Sequence, residues 1–289
     1  MPKIEIHLKL GKRFFLKLFY AAILTRGYSD PMELLKKIFA HPLTRGLNID
    51  DANTSALRLN IIQEKGLLRR IYEDWYSTLQ QQIPNCEGLV LELGSGAGFL
   101  TDFLPELVTS DILLVPNVQV VLDAHELPFA TASLSTIVMV DVLHHLRNVR
   151  RFFHEAARCV KGGGRIIMIE PWVTSWSRFV YGRLHHEPFS PECPDWTFDS
   201  GGVLSGANLA LPWIIFERDL QDFERSFPMW TVKTIELEKP FMYLLSGGVS
   251  LRALFPKGVF DGIRFIERLM RPWLHRLAMF ALIVLVRER

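Results

Sequence analysis

Residues 91–100, LELGSGAGFL, combine residue types that could bind a ligand through the backbone. An apolar run leads into the acid Glu92, and glycines then stand at every second position, at Gly94, Gly96 and Gly98. Glycine adopts positive φ angles without steric cost and allows another group to approach closely. An acid just before such a turn can orient the loop or meet a cationic group. The segment therefore predicts a binding turn at the end of a buried strand.

Three ligands compete for this turn. A Walker A phosphate loop ends in Gly-Lys-Ser/Thr, which the segment lacks, so a phosphate loop is rejected. A nicotinamide dinucleotide site has the spacing G-x-G-x-x-G. Phe99 stands where the third glycine of that pattern would be, which disfavours an oxidoreductase. S-adenosylmethionine carries an amino acid on a sulfonium and has no phosphate, and it suits close backbone passage next to the Glu92 carboxylate.

The segment VLELGSGAGFL resembles motif I of the class I, Rossmann-like S-adenosylmethionine-dependent methyltransferases. LDAHELPF, VDVLHHL and FFHEAARCVKGGGRIIMIEP follow in order and resemble later segments of that family. The resemblance covers roughly residues 86–172 and is closest to small-molecule enzymes similar to the ubiquinone-biosynthesis C-methyltransferases. It implies a seven-stranded, mainly parallel, doubly wound sheet and S-adenosyl-L-methionine as the cofactor.

The resemblance also implies the residues of a cofactor site. Asp111 lies 17 residues after Gly94 and would bind the ribose. Asp123 would meet the adenine amino group, with the Ala124 amide beside it. The complete set of predicted cofactor-binding residues is Glu92, Gly94, Ser95, Gly96, Gly98, Asp111, Asp123, Ala124 and Val140.

Methyl transfer requires alignment of the nucleophile with the methyl carbon, and it needs a base only when the acceptor is a hydroxyl or an acidic carbon. Acceptor residues should project from the carboxyl edge of the sheet and from the segment LHHEPF. The predicted catalytic residues are His145, His185 and His186, and the predicted acceptor contacts are Glu170, Trp172 and Glu187. The alternative for LHHEPF is a polar patch that holds a cap shut.

We predict no metal site. The neighbouring residues His144 and His145 are expected to line a wall, because adjacent side chains point apart and no carboxylate stands at ligand spacing. The three cysteines form no CxxC pair, which argues against a zinc site or a disulfide framework. Such cysteine usage fits a reducing compartment and predicts a cytoplasmic protein.

The apolar pattern divides the chain into two parts. Residues 1–84 read as a helical N-terminal extension, with a break at Gly66 and an end at Pro84. From residue 85 to 289, apolar strand segments alternate with helices, which is typical of a doubly wound α/β domain. The segment 98–107 predicts a short helix, and 148–160 predicts a longer one with Gly162 as its C-cap. An irregular stretch at about 173–229 predicts a cap insertion, and the segments 231–248 and 275–289 are strand-like again.

Composition limits the partners. The chain has 289 residues, 49% hydrophobic and 22% charged, with a net charge of +2. No basic cluster is present, so nucleic acid is not an expected partner. The longest uncharged run at the basic, apolar segment 9–24 is Leu18–Thr25, and its 8 residues are too few to span a bilayer. The segment predicts either a helix packed on the domain or a peripheral contact with the inner face of a membrane.

The function that these observations predict is methyl transfer from S-adenosylmethionine to a small, apolar, aromatic or lipid-like acceptor. Twenty Phe and seven Trp favour an apolar pocket. The alternative is a non-catalytic module that binds S-adenosylmethionine or its demethylated product as a sensor or partner subunit. The acceptor atom and the oligomeric state are left open.

Overall fold

The structure is a computed structural model that describes residues 52–116, 118–185, 187–198, 202, 206–253, 255 and 257–288. Contacts divide the chain into a main unit, Gly46–Val249 with Ala253–Arg289, and a small unit, Met1–Arg45 with Ser250–Arg252. Every element named below belongs to the main unit. The segment 9–24, for which membrane contact was predicted, lies outside the described residues.

A seven-stranded sheet forms the centre of the main unit. Its strands are β1 Leu89–Leu93, β2 Leu107–Asp111, β3 Val120–Val121, β4 Leu134–Val140, β5 Val160–Pro171, β6 Trp230–Glu238 and β7 Phe280–Arg287. Their order is β3-β2-β1-β4-β5-β7-β6. The first five strands are parallel to one another, and β7 runs antiparallel to both of its neighbours. The predicted seven-stranded, mainly parallel α/β fold is confirmed.

Helices precede, connect and follow the strands. They are α1 Ala52–Glu64, α2 Gly66–Gln82, α3 Val149–Cys159, α4 Ser175–Arg183, α5 Leu211–Trp213, α6 Leu220–Ser226, α7 Met242–Ser246, α8 Phe260–Leu269 and α9 Leu274–Leu277. A π-helical turn, Ile214–Arg218, joins α5 to α6. The break at Gly66 separates α1 from α2 as predicted. None of the helices that the structure describes is long and apolar enough to cross a bilayer.

Both faces of the sheet are buried, which explains its nearly continuous apolar strands. Successive side chains of a strand point to opposite faces, so Ile137 and Met139 of β4 join one core cluster and Val138 joins the other. The first cluster includes Phe153 of α3, and the second includes Trp75 of α2. The helices of the N-terminal region therefore cover one face of the sheet, and α3 covers the other.

Three local predictions were wrong. In 98–107 only Leu100–Asp102 is helical, as a 3₁₀ turn, and Pro105 in this segment has no N–H to continue a helix. Gly162 does not cap α3, because the chain passes through an extended Val160 directly into β5. The glycines there serve the sheet, since a Cβ at Gly164 would lie 2.6 Å from the carbonyl oxygen of Ser135. The segment after β6, expected to continue as strand, forms α7.

Candidate active site

A cavity of about 340 Å³ opens at the carboxyl ends of β1, β2 and β4. In an open α/β sheet, ligands bind at this edge where the strand order reverses, and here the order reverses between β1 and β4. The cavity is lined by all nine residues predicted to bind the cofactor: Glu92, Gly94, Ser95, Gly96, Gly98, Asp111, Asp123, Ala124 and Val140. Residues far apart in the sequence therefore meet at the predicted edge.

The glycine turn after β1 needs its glycines for steric reasons. Gly94 and Gly96 have φ angles of +67° and +39°, which side-chain-bearing residues rarely adopt. A Cβ at Gly94 would lie 2.5 Å from Cγ2 of Val142, and one at Gly98 would lie 2.8 Å from Ser95 O and from the Tyr76 hydroxyl. The turn therefore forms a concave backbone surface, the glycine cradle. A larger residue at Gly94 or Gly98 would clash with the neighbouring atoms.

Ser95 attaches this turn to the neighbouring strand. Its N–H donates to the carbonyl oxygen of Ser110 at 2.8 Å, and its hydroxyl oxygen accepts from the Ser110 N–H at 3.1 Å. The Ser110 hydroxyl in turn donates to the carbonyl oxygen of Glu92 at 2.6 Å. These bonds join the ends of β1 and β2, so the turn is held from both sides.

Glu92 is buried at the base of the turn. Burial raises the pKa of its carboxyl to about 7, and the nearby Asp111 adds to this, although a hydrogen bond with Ser95 opposes it. A buried carboxylate without a cationic partner is unstable in its charged form. Glu92 is therefore poised to ionise when a positive group enters the cavity.

Asp111 and Asp123 stand where β2 and β3 end. Asp111 Oδ2 accepts the Gly96 N–H at 3.0 Å and Oδ1 accepts the Leu113 N–H at 2.9 Å, while burial raises the pKa of this carboxyl. The Asp123 carboxylate accepts the His125 N–H at 2.8 Å. Partial burial would raise the pKa of Asp123, but the hydrogen bonds with His125 outweigh burial and lower it. Two acidic acceptors thus lie on the β2–β3 side of the turn.

The N-terminal helices supply a wall of the cavity that the sequence did not predict. Arg58 and Ile62 of α1 and Tyr72 and Tyr76 of α2 line it. The Tyr76 hydroxyl accepts the backbone N–H of Phe99 at 3.3 Å and so also anchors the turn. The sequence predicted only that this region is helical, and a helical pattern does not tell which side chains face a ligand.

A second group of polar residues follows β4. Asp141 and His145 both line the cavity. Asp141 has a φ angle of +63°, and burial raises the pKa of its carboxyl to about 7. Burial and the neighbouring His144 lower the pKa of His145 to about 3, so the His145 ring is neutral at pH 7. Asp141 lies within the segment VDVLHHL but was not singled out from the sequence.

Behind this wall, His144 and Glu170 form a fully buried pair. His144 Nδ1 lies 2.8 Å from Glu170 Oε2, and Glu170 Oε1 accepts the N–H groups of Val142 and Leu143 at 2.8 and 2.7 Å. Glu187 approaches from the other side, with its Oε2 3.5 Å from His144 Nε2. Burial lowers the pKa of His144, but the carboxylates of Glu170 and Glu187 outweigh burial and raise it well above its ordinary value.

Of the other predicted site residues, those that the structure describes lie outside the lining of this cavity. Glu170 and Trp172 are buried in the protein interior. His185 and Glu187 belong to the segment after α4, where His185 Nδ1 accepts the Glu187 N–H at 3.2 Å. His186 lies outside the described residues. Their predicted roles in catalysis and acceptor contact stay predictions.

A family model described as a methyltransferase domain matches residues 91–168. This range spans the glycine turn, the strand-end acids, the residues after β4, α3 and most of β5. A comparison with curated protein sequences found no match.

Solved structures similar to this chain include three bacterial proteins. A geranyl diphosphate C-methyltransferase from Streptomyces coelicolor A3(2) has 11% identity and a TM-score of 0.47, over 78% of this chain and 82% of that one. An S-adenosylmethionine-dependent methyltransferase from Mesorhizobium loti has 14% identity and a TM-score of 0.41, over 73% and 96%. The YcgJ protein from Bacillus subtilis has 15% identity and a TM-score of 0.43, over 74% and 97%. Sequence identity this low does not indicate which acceptor this chain methylates.

The sheet order, the reversed β7 and the glycine turn define a Rossmann-like ligand-binding domain. Together with the match of residues 91–168 to a methyltransferase domain, these features identify an S-adenosylmethionine-dependent methyltransferase, with S-adenosylmethionine as the methyl donor. The glycine cradle fits that ligand, because it offers close backbone passage beside a buried acid.

We expect Gly94→Ala to weaken S-adenosylmethionine binding at least tenfold. The new Cβ would require a positive φ angle, which costs about 1–2 kcal/mol, and would also press on Val142. Calorimetric titration of the full chain measures the affinity. Gly182→Ala, at a helical position with open space around it, is the matched control and should bind like the wild type. Adding Val142→Ala should restore part of the affinity, and unchanged binding by Gly94→Ala would contradict a role for the turn.

We expect S-adenosylmethionine to displace a proton from Glu92 when it binds near pH 7. Below pH 7 the folded protein keeps this carboxyl protonated, whereas the unfolded chain ionises it near pH 4.5. Glu92 therefore lowers the free energy of unfolding as pH rises through this window, by up to about 3 kcal/mol. The ligand's ammonium group would favour the ionised form.

Calorimetry in buffers of different ionisation enthalpy measures this proton release. Glu92→Gln should abolish it, weaken binding, and make the ligand-free protein more resistant to heat at pH 8 than the wild type. Equal proton release by the wild type and Glu92→Gln would show that Glu92 does not face the ammonium group.

Proposed function

We propose that this protein transfers the methyl group of S-adenosylmethionine to a small, apolar acceptor, aromatic or lipid-like in character. The observation that carries the proposal is that the glycine turn shares one cavity with an apolar and aromatic wall from α1, α2 and the segment after β4. Ile62, Tyr72, Tyr76, Val142 and Leu146 contribute to this wall. Such a lining suits an acceptor with a ring or hydrocarbon portion.

The strand order supports a division of the cavity into two parts. Asp111 and Asp123 stand on the β2–β3 side of β1, and Asp141 and His145 follow β4 on its other side. We therefore assign the adenosine portion of the cofactor to the first side and its methionine portion to the turn beside Glu92. The acceptor would lie toward β4 and the N-terminal helices.

When bound, S-adenosylmethionine supplies an activated methyl group whose leaving group needs no acid. The chain's own task is to place the acceptor in line with that methyl group and to exclude water. Aromatic side chains of α2 suit the exclusion of water. Asp141, His145 and Arg58 are polar residues of the same cavity lining and would orient an acceptor heteroatom.

Asp141 is our candidate for the residue that accepts a proton from the acceptor. It lines the cavity, whereas His144 behind it is fully buried and bonded to Glu170. His145, predicted as a catalytic residue, would act as a neutral hydrogen-bond partner. His185 lies further along the chain and, with Glu187, would hold the segment after α4 closed over this side.

We expect Asp141→Asn to lower kcat about a hundredfold while S-adenosylmethionine affinity stays within a factor of two, because a positioned general base typically contributes at least this much. Formation of labelled product from S-adenosyl-[methyl-³H]methionine measures turnover. The acceptors to supply are alkyl phenols, isoprenoid quinols and long-chain fatty acids in detergent micelles. Asp261→Asn, an exposed acid on α8, is the control and should keep full activity.

Turnover of an acceptor from this panel would support the proposal. Micromolar binding of S-adenosylmethionine and S-adenosylhomocysteine without labelling of any acceptor would favour a non-catalytic binding module. Full activity of Asp141→Asn would show that Asp141 is not the base. It would not contradict the proposed acceptor class.

We further propose that a membrane surface delivers the acceptor, at the anionic inner face. The segment from α8 to the 3₁₀ turn Arg271–Trp273 exposes four large apolar side chains, each between 53% and 62% accessible. They are Phe265, Ile266, Leu269 and Trp273. Arg268, Arg271 and Arg276 stand exposed beside them. An apolar stripe bordered by arginines has the charge and polarity of a helix that lies on anionic lipid.

We expect the full chain to sediment with vesicles that contain phosphatidylglycerol and much less with pure phosphatidylcholine vesicles. Phe265→Ser with Leu269→Ser should reduce the bound fraction at least fivefold, because both apolar anchors are lost. Leu114→Ser with Val121→Ser, which removes two exposed apolar side chains elsewhere, is the matched control and should bind normally. Equal binding to both vesicle types would contradict an electrostatic contact.

A further inference from the structure

Three side chains of metal-ligand type converge beside the cavity. One potential ligand atom from each of His144, His145 and Glu187 lies within 4.8 Å of the others. The sequence argued against a metal because neighbouring histidines should point apart. In the structure, however, the ring centroids of His144 and His145 are 4.2 Å apart. Glu187 supplies the carboxylate. The sequence did not indicate it, because Glu187 is distant from the two histidines along the chain and reaches them only where the segment after α4 folds back onto the end of β4.

We propose that His144, His145 and Glu187 bind a divalent transition-metal ion such as Zn²⁺. Two imidazoles and one carboxylate are a known zinc-binding set, which leaves a fourth position for water or substrate. His145 lines the cavity, so the ion would lie at its border. Three features of the site support this assignment: the orientation of His144, the spacing between its ring and Glu187, and the local charge.

Glu170 orients the His144 ring as in metalloproteins. Its Oε2 lies 2.8 Å from Nδ1, and its Oε1 is occupied by two backbone N–H groups. The carboxylate therefore favours a proton on Nδ1 and leaves the Nε2 lone pair available. A carboxylate that accepts the second N–H of a metal-bound histidine is a common arrangement, which fixes the ring and increases its basicity.

His144 Nε2 is buried and makes no hydrogen bond within the described part of the chain. Glu187 Oε2 lies 3.5 Å away, which is longer than a charged hydrogen bond. Two ligands bound at 2.0–2.1 Å to one tetrahedral zinc ion lie roughly 3.4 Å apart. The distance between His144 Nε2 and Glu187 Oε2 therefore fits two ligands of one metal ion better than it fits a hydrogen bond between these atoms.

The local charge also favours a cation. Asp141, Glu170 and Glu187 place three carboxyl groups around the His144 ring. Arg58 is a cation on the cavity side, and His185 approaches Glu187 at 3.8 Å. A proton on His144 Nε2 would supply one positive charge, and a divalent ion would supply two. Proton and metal would thus compete for the same lone pair.

Metal binding by the purified full chain tests the proposal directly. After treatment with a chelator, the protein is titrated with Co²⁺ and followed by visible absorption, and then with Zn²⁺ by calorimetry. We expect one ion per chain with at least micromolar affinity and Co²⁺ bands typical of low coordination number. Glu187→Gln and His145→Ala, each made separately, should weaken Zn²⁺ binding at least tenfold.

Matched controls distinguish this cluster from surface ligands. His154→Ala and Glu192→Gln alter an exposed histidine and an exposed glutamate and should leave metal binding unchanged. Thermal unfolding of every variant checks that it is folded. Absence of stoichiometric binding by the wild type, or equal affinity in Glu187→Gln and His145→Ala, would overturn the proposal and leave His144 as an imidazolium held between two carboxylates.

The ion's role in methyl transfer rests on the proposed function, whereas its binding does not. A metal at the cavity border would attract an oxygen-bearing acceptor, such as a phenol or a carboxylic acid. Calorimetry with S-adenosylmethionine on the same samples separates the two proposals. Metal binding without cofactor binding would overturn the proposed function alone, and cofactor binding without metal binding would overturn the metal site alone.

Discussion

The geometry beside the cavity depends on the buried carboxylate of Glu170. It accepts the N–H groups of Val142 and Leu143 and pairs with the ring of His144, so one side chain of β5 fixes three consecutive residues after β4. This turn begins with Asp141 at a positive φ angle, a conformation that needs support from its surroundings. Removal of the carboxylate would leave two buried N–H groups without an acceptor, at a cost of about 1–3 kcal/mol each.

Val142 transmits this constraint to the cofactor turn. Its side chain fills the space in which a Cβ at Gly94 would lie. The turn after β1 and the turn after β4 therefore have to be shaped together, although 48 residues separate the two positions. Ser110 of β2 and Tyr76 of α2 also hold the glycine turn, through hydrogen bonds to Ser95 and Phe99. A cavity whose walls brace one another can align two reactants without rearrangement, which is the main requirement of methyl transfer.

The sequence predicted those parts of the site that depend on local chemistry. Gly94 and Glu92 were recognisable because a tight turn after a buried strand requires particular residue types at fixed offsets. Arg58 and Tyr72 were not, since their approach to the cavity depends on how two helices pack across the sheet. Glu170 was singled out as an acceptor contact, yet it is fully buried and bonds to the backbone. A strand-end acid looks the same in sequence whether it faces a ligand or supports the turn beside it.

Two buried carboxyls of the cavity, those of Glu92 and Asp141, have pKa values raised to about 7 by burial. Such groups lower the stability of the ligand-free protein, because each must either keep its proton or carry a poorly solvated charge. They stand on the two sides of the turn near Gly94, where the methionine ammonium and the polar part of an acceptor would come. Residues that destabilise the ligand-free fold are typical of functional sites. Here a cationic ligand would compensate the negative charge of the buried carboxylates. Behind these two carboxyls, Glu170 and Glu187 approach the buried ring of His144 from opposite sides, which is where our proposed divalent ion would bind.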